Sequence, residues 1–329
     1  MLFQNAKHPL EMKVTHLNKV KAQRKQQLQL QMVNDKGLIS LISRAFTDLT
    51  KKENTKKTSK FGLFKNKAAN KNCFVLDFHG DIKATEVQQL REEISTLLTV
   101  AQAEDEVIVR LESSGGMVHA YGLAAAQLAR IKEAGLNLTV CIDKVAASGG
   151  YMMACVADKI LAAPFAVVGS IGVVAQVPNF HDLLQKHDID VEVFTAGKYK
   201  RTVTIFGENT EEDKQKFQQE LEETHKLFKD FVRKYRPSLD VEQVATGEHW
   251  YGEDAITRNL VDALQTSDSY ILEKMTDSEL YAIQSRQKPT IAQKLGISQA
   301  AQAVVATAMD KLPDALAKLE SAKMPMVKK

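Results

Sequence analysis

From Cys73 onward, short runs rich in β-branched residues alternate with stretches whose apolar residues recur every three or four positions. That alternation limits the fold more than any other feature of the chain. Runs of the first kind need strand neighbours and stretches of the second kind need a surface to lie on, so the pattern predicts an α/β fold, a mostly parallel sheet covered by helices. Strands are expected at residues 74–78, 107–111, 138–142, 159–162, 167–175 and 191–195. A helix is expected at 85–101, with Val87, Leu90, Ile94 and Leu97 or Leu98 on one stripe, and another at 120–133, with Leu123, Ala126, Leu128 and Ile131. A short apolar helix should run over 151–156, and a long charged one over 210–235, where Phe217, Leu221, His225, Phe228 and Val232 share a face. Asn209 stands three residues before Glu212 in capping-box spacing, and Pro237 stops the long helix. An alanine-rich periodic stretch, 291–319, reads as a peripheral helical tail. The expected organisation is a basic leader over 1–72, partly helical or flexible, a catalytic domain over 73–275 and a tail over 276–329.

Most standard catalytic signatures are absent: no phosphate-binding G-x-x-x-x-G-K-[ST], no G-x-G-x-x-G, no H-E-x-x-H and no G-x-S-x-G elbow. A lone S-x-x-K match, Ser285 to Lys288, lies in a polar stretch beside Pro289 and reads as chance. Cys73, Cys141 and Cys155 are too widely spaced for a zinc site or redox pair and read as small apolar residues. No metal or organic cofactor is implied.

Two glycine-rich turns remain, each following an expected strand: Ser113-Ser114-Gly115-Gly116 and Ser148-Gly149-Gly150. A serine at a strand-to-helix junction sits where free N–H groups and the helix dipole favour a developing negative charge, and the glycines let a substrate backbone come close. With two such turns on adjacent strands, one can supply a nucleophile and the other a backbone donor. The nucleophile needs a base. Among eight histidines only His119, close behind the first turn, stands near enough to be weighed. The other candidate is the Gly197-Lys198-Tyr199-Lys200 loop, where a lysine could act only if desolvation lowered its pKa from about 10.4 to roughly 7–8.

At these residues the chain resembles the signal peptide peptidase A family of serine peptidases, most closely its SohB-type branch of bacterial inner-membrane proteases. The matching elements, in family order, are Ser113 to Gly116, Lys144 to Tyr151, Gly169-Ser170-Ile171-Gly172-Val173, Gly197 to Lys200, and a late segment ending Leu260-Val261-Asp262. The resemblance implies a ClpP/crotonase-like fold of repeated ββα units and a Ser-Lys dyad. By position, Ser148 is the nucleophile, Lys200 the general base, Gly149 one oxyanion donor, Gly115 or Gly116 the other, and Ser170 the hydroxyl that orients the lysine. It also implies a homo-oligomer whose sites are shared between protomers, peptide substrates such as signal-peptide remnants, and a place at the periplasmic side of the inner membrane. Three positions depart from the pattern: Ser114 replaces a usual proline, Asn259 replaces a usual glycine, and no membrane-spanning helix precedes the domain. Either the chain starts downstream of that helix or it holds the membrane through its leader.

The charge distribution bears on that last choice. Residues 1–72 carry 16 Lys and Arg against 4 Asp and Glu, whereas the rest carries 28 against 37. Such a leader suits an anionic lipid surface or a charged spacer, and it has few aromatics to stack on bases, so nucleic acid is not an expected partner. The uncharged stretch 160–178 is long enough to tempt a membrane assignment, but Pro164, Gly169, Gly172 and Pro178 break it, and it reads as short buried strands. The leading expectation is therefore a serine endopeptidase. Its rivals are a crotonase-type acyl-CoA enzyme and a catalytically silent membrane-associated scaffold.

Overall fold

The computed structural model describes residues 10–32 and 71–287. Residues 12–285 form one compact unit; a second, Met1–Glu11 with Arg286–Lys329, is described only at its strand ends. The expected helical stretch 291–319 lies outside the described residues.

Among the described residues ten strands make one sheet: β1 Leu10–His16, β2 Lys71–Gly80, β3 Glu106–Ser113, β4 Asn137–Ile142, β5 Val145–Ala147, β6 Lys159–Ala162, β7 Val167–Gly169, β8 His249–Tyr251, β9 Ala263–Leu264 and β10 Ser278–Gln287. The main path runs β1-β10-β2-β3-β4-β6-β9, and every pairing from β10 to β9 is parallel. β5 leaves this path between β3 and β7, and β7 pairs antiparallel with β8. The chain is thus α/β with a mostly parallel sheet, as its alternating pattern predicts, and β4, β5 and the Gly149–Ala154 helix follow one another as a ββα unit.

The helices lie where apolar periodicity demands. Val87, Leu90, Ile94 and Leu97 of the Val87–Leu97 helix are all buried. In Val118–Glu133 the buried stripe is Tyr121, Ala124, Ala125, Leu128 and Ile131; Leu123 and Ala126, expected on it, are exposed. The choice favours the tyrosine, whose ring fills more core than a leucine. The long helix, Glu211–Tyr235, starts one residue later than the predicted cap. Thr210 caps it in a reciprocal box with Asp213, because the Asn209 side chain is already tied to the Thr204 backbone at 2.8 and 2.9 Å. Only Phe228 and Val232 of its expected apolar face are buried; Phe217, Leu221 and His225 are half-exposed.

Two expected strands fall short. Of 167–175 only Val167–Gly169 pairs, and 191–195 forms no strand. Its alternation of Val191 and Val193 with charged residues fits a strand, but a strand needs a paired neighbour, and the segment pairs with none of the described strands. Conversely, Ser278–Gln287 lies beyond residue 275 and forms an inner strand beside β2, with Leu280, Ile283 and Ser285 buried. Ser285 bonds to Glu93 through both its N–H and its hydroxyl, so its part in the S-x-x-K match is structural. All three cysteines are free and buried; burial pushes the Cys141 thiol up to about 12 and the other two higher still. Among the described residues no helix is long and apolar enough to cross a membrane, and 160–178 includes strands β6 and β7.

Candidate active site

Ser148 sits between β5 and the Gly149–Ala154 helix with φ 52° and ψ −118°, a conformation rare for a residue with a side chain. Its backbone is held on both sides: its N–H donates to Gly169 O at 2.8 Å and its carbonyl accepts from Met152 N at 2.9 Å. Its hydroxyl has no hydrogen-bond partner among the described residues and faces a shallow apolar recess. Gly116, Val118, Gly149, Met152, Gly172, Val173, Thr224 and Phe228 complete the lining, the last two from the long helix.

The glycines around Ser148 are there because nothing larger fits. A methyl on Gly115, whose φ is +89°, would lie 2.6 Å from Gly149 N and 2.8 Å from Ser148 Cβ. One on Gly149 would lie 2.4 Å from the Tyr121 ring, and one on Gly150 2.4 Å from Ser113 O. Gly149 N–H is the first amide of its helix and has no intrahelical partner. Gly115 N–H donates to Ser113 Oγ at 3.1 Å, whereas Gly116 N–H has no acceptor among the described residues. The first glycine turn therefore reaches the Ser148 recess, as the sequence suggests, through Gly116.

Ser170 follows β7 in register with Ser148, since Ala147 pairs with Gly169. It too has positive φ, 51°, its N–H donates to Glu248 O at 2.6 Å, and its hydroxyl is unpaired among the described residues. Lys200 lies in the Gly197–Lys200 turn, is exposed, makes no ion pair among the described residues and does not line the Ser148 recess. Lys198 pairs with Glu212 at 3.1 Å, and contacts with Tyr199 and Glu212 raise its pKa, the wrong direction for a base. His119 is exposed and does not line the recess.

Sequence reasoning missed the groups beneath the site. Tyr121 is fully buried, its ring against Gly149 and its hydroxyl on Ser113 Oγ. Tyr151, behind the nucleophile, donates to Leu260 O at 2.9 Å, tying its helix to the late Leu260-Val261-Asp262 segment. Asp262 accepts two bonds from buried Arg236, at 2.9 and 2.7 Å, and a third from Ile160 N. No spacing rule announces these partners, which are 8 to 109 residues apart in the chain.

Two family descriptions match in tandem: Peptidase family S49 N-terminal over residues 2–128 and Peptidase family S49 over residues 130–281. The chain is 54% identical over 218 residues to the "Probable protease SohB" of Buchnera aphidicola subsp. Schlechtendalia chinensis, covering 66% of this chain and 70% of that one. The chain belongs to peptidase family S49. Its match to the "Probable protease SohB" of Haemophilus influenzae is stronger, 64% identity over 223 residues, and covers 68% of this chain and 63% of that S49 relative's length. Among solved structures, the 1510-N membrane-bound stomatin-specific protease aligns over 65% of this chain and 98% of its own, with a TM-score of 0.43 and 13% identity. By number, Ser148, Gly149, Ser170 and Lys200 fall within residues 130–281, matched by Peptidase family S49, and Gly115 and Gly116 within residues 2–128, matched by its N-terminal counterpart.

Proposed function

We propose that this S49 member is a serine endopeptidase acting by acyl transfer, with Ser148 as nucleophile and Lys200 as general base. The observation that carries the reading is the backbone at Ser148: a strained, twice-anchored serine beside an unpaired helix-leading amide. Ser148 Oγ attacks the scissile carbonyl carbon while Lys200 Nζ takes its proton. The resulting oxyanion is received by Gly149 N–H and Gly116 N–H, the Gly115 amide being committed to Ser113. Collapse expels the amine, which takes the proton back from Lys200, and water then hydrolyses the acyl-enzyme by the same steps. Each oxyanion donor is worth about 3 kcal/mol of barrier. Ser170, beside Ser148, orients the lysine amine.

The base arrives from a neighbouring copy in this reading. Lys200 is exposed and away from the Ser148 recess, in a region, 173–206, that leaves Val174 91% and Phe194 87% exposed, with Phe180, Tyr199 and Phe206 also uncovered. Exposed apolar surface of this density marks an association face, and the unpaired 191–195 alternation would gain a strand partner there. A homo-oligomer with sites completed across protomers accounts for both features.

Substrates are extended peptides, such as membrane-derived signal-peptide remnants. The apolar recess beside Ser148 is shallow, about 10 Å³, and suits a small apolar side chain at the cleavage point. The Leu17–Met32 helix, with Lys19, Lys21, Arg24 and Lys25, no acidic residue and none of its side chains buried, suits contact with an anionic leaflet of the inner membrane. Activity against a fluorogenic peptide with a small apolar residue at the cleaved bond, lost in Ser148→Ala, supports the proposal; turnover surviving that substitution refutes it.

A further inference from the structure

The mechanism above uses two backbone amides from different turns, and amides of glycine turns hold a direction only if something fixes their peptide planes. Beneath both turns lies one side chain. Tyr121 packs its ring against Gly149 so closely that a methyl there would be 2.4 Å from Cγ, and its hydroxyl donates to Asp81 O at 2.7 Å. With that proton directed to Asp81, the Tyr121 oxygen is free to accept from the Ser113 hydroxyl, which also reaches Gly80 O at the longer distance of 3.2 Å, and Ser113 Oγ in turn accepts the Gly115 N–H at 3.1 Å. Each hydroxyl both donates and accepts, so the chain runs Gly115 N–H, Ser113 O–H, Tyr121 O–H, Asp81 carbonyl, with every bond polarising the next. Tyr121 is fully buried and Ser113 2% exposed, so water does not compete for these groups.

The surroundings are built to keep that chain in place. Gly80, the last residue of β2, carries no side chain because one would lie 2.4 Å from Tyr121 Oη and 2.5 Å from Ser113 Oγ. Gly116 is pressed against Ile82, whose carbonyl accepts from Met117 N at 2.8 Å, so the turn is clamped just past the free amide. Engaging Gly115 N–H on the inner side leaves Gly116 as the residue of that turn with an open amide on the Ser148 recess.

From this arrangement we infer that Tyr121 is a positioning residue for the oxyanion hole, aligning Gly149 N–H through its ring and Gly116 N–H through the Ser113 hydroxyl. The inference rests on the reading of Ser148 as nucleophile. Tyr121 touches no reacting atom; it acts through the two amides, and Ser113 is its intermediary.

The test uses the full-length protein and two independent variants, Tyr121→Phe and Ser113→Ala, assayed with a fluorogenic peptide and with a peptide boronic acid, which forms a tetrahedral adduct on a catalytic serine. Each variant should lower kcat about tenfold with KM within about twofold, and weaken the boronate by a matching factor, because the loss falls on the tetrahedral species alone. The double variant should fall no further than the worse single, since both break one chain. Tyr121→Leu, which also removes the ring from Gly149, should lose about another tenfold. Unchanged kcat and boronate affinity in both single variants would overturn the inference, as would a loss confined to KM. Turnover or boronate binding that survives Ser148→Ala is the distinct result that removes the nucleophile assignment itself, and the inference with it.

Discussion

Ser148 and Ser170 leave neighbouring parallel strands side by side: Ala147 pairs with Gly169, both serines take φ near +50°, and Ser148 N–H donates to Gly169 O at 2.8 Å. Two hydroxyls without partners among the described residues are thereby fixed at one sheet edge, as the proposed dyad needs if its amine comes from outside. Substituting Ser170 by Ala should leave Ser148 able to react with an acylating probe but slow it about tenfold, by freeing the lysine amine from its orienting bond. A labelling rate equal to that of the unsubstituted protein would remove Ser170 from the mechanism.

The two lysines of the Gly197–Lys200 turn should behave differently. Lys200→Ala should abolish peptide turnover, whereas Lys198→Ala, which breaks surface contacts with Glu212 and Tyr199, should retain most of it. Mixing inactive Ser148→Ala with inactive Lys200→Ala should restore measurable activity, because some mixed interfaces pair an intact serine with an intact lysine. No recovery after subunit exchange, shown by sedimentation to have produced mixed oligomers, would place the base in the same protomer.

Glycine substitutions separate the site from the scaffold. Gly115→Ala places a methyl 2.6 Å from Gly149 N at a φ of +89° and should cost about 100-fold or more in kcat. Gly122→Ala, in a helix interior with nothing within 4 Å of the new methyl, should leave activity unchanged and raise the melting temperature by about 2–4 °C. Equal activity in the two variants would contradict the assignment of the first turn.

Arg236 and Asp262 hold the late segment behind the nucleophile helix. Arg236→Ala leaves a partly buried carboxylate without its cation and should cost about 3 kcal/mol, seen as a fall of about 6–12 °C in melting temperature. A shift below 2 °C would show that the pair holds nothing.

Glu93 gives a pH signature for stability. Burial raises its pKa, with the two Ser285 hydrogen bonds opposing, so ionisation is harder in the folded than in the unfolded chain. A raised folded pKa means a stabilising contribution that is complete below the unfolded value and is lost as pH rises through the folded one. Glu93→Gln keeps the acceptor for Ser285 and removes the charge, so its melting temperature relative to the unsubstituted protein should improve as pH rises above the ordinary carboxylate range. A difference independent of pH would contradict it.

How far the sequence spoke depended on how local each feature is. The strands around Val109, Val140 and Ile160, and the serine between strand and Gly-Gly, are set by neighbours in the chain and could be read directly. β5 is three residues long and β8 is His-Trp-Tyr, too short to show a period, and β10 buries Leu280, Ile283 and Ser285, with polar Gln284 and Arg286 between and beyond them. Residues 191–195 show the opposite error: their alternation was legible, but a strand forms only when paired, and the segment pairs with none of the described strands. Tyr121 was invisible as part of the site because its contacts reach from Asp81 to Gly149, joined only by the fold.

Attack of the Ser148 hydroxyl on acyl groups is tested by reaction of the full-length protein with a fluorophosphonate probe followed by peptide mapping. A single adduct should form on the peptide containing Ser148 in the unsubstituted protein and be absent after Lys200→Ala. Modification of another serine, or none while peptide is being cleaved, would contradict it.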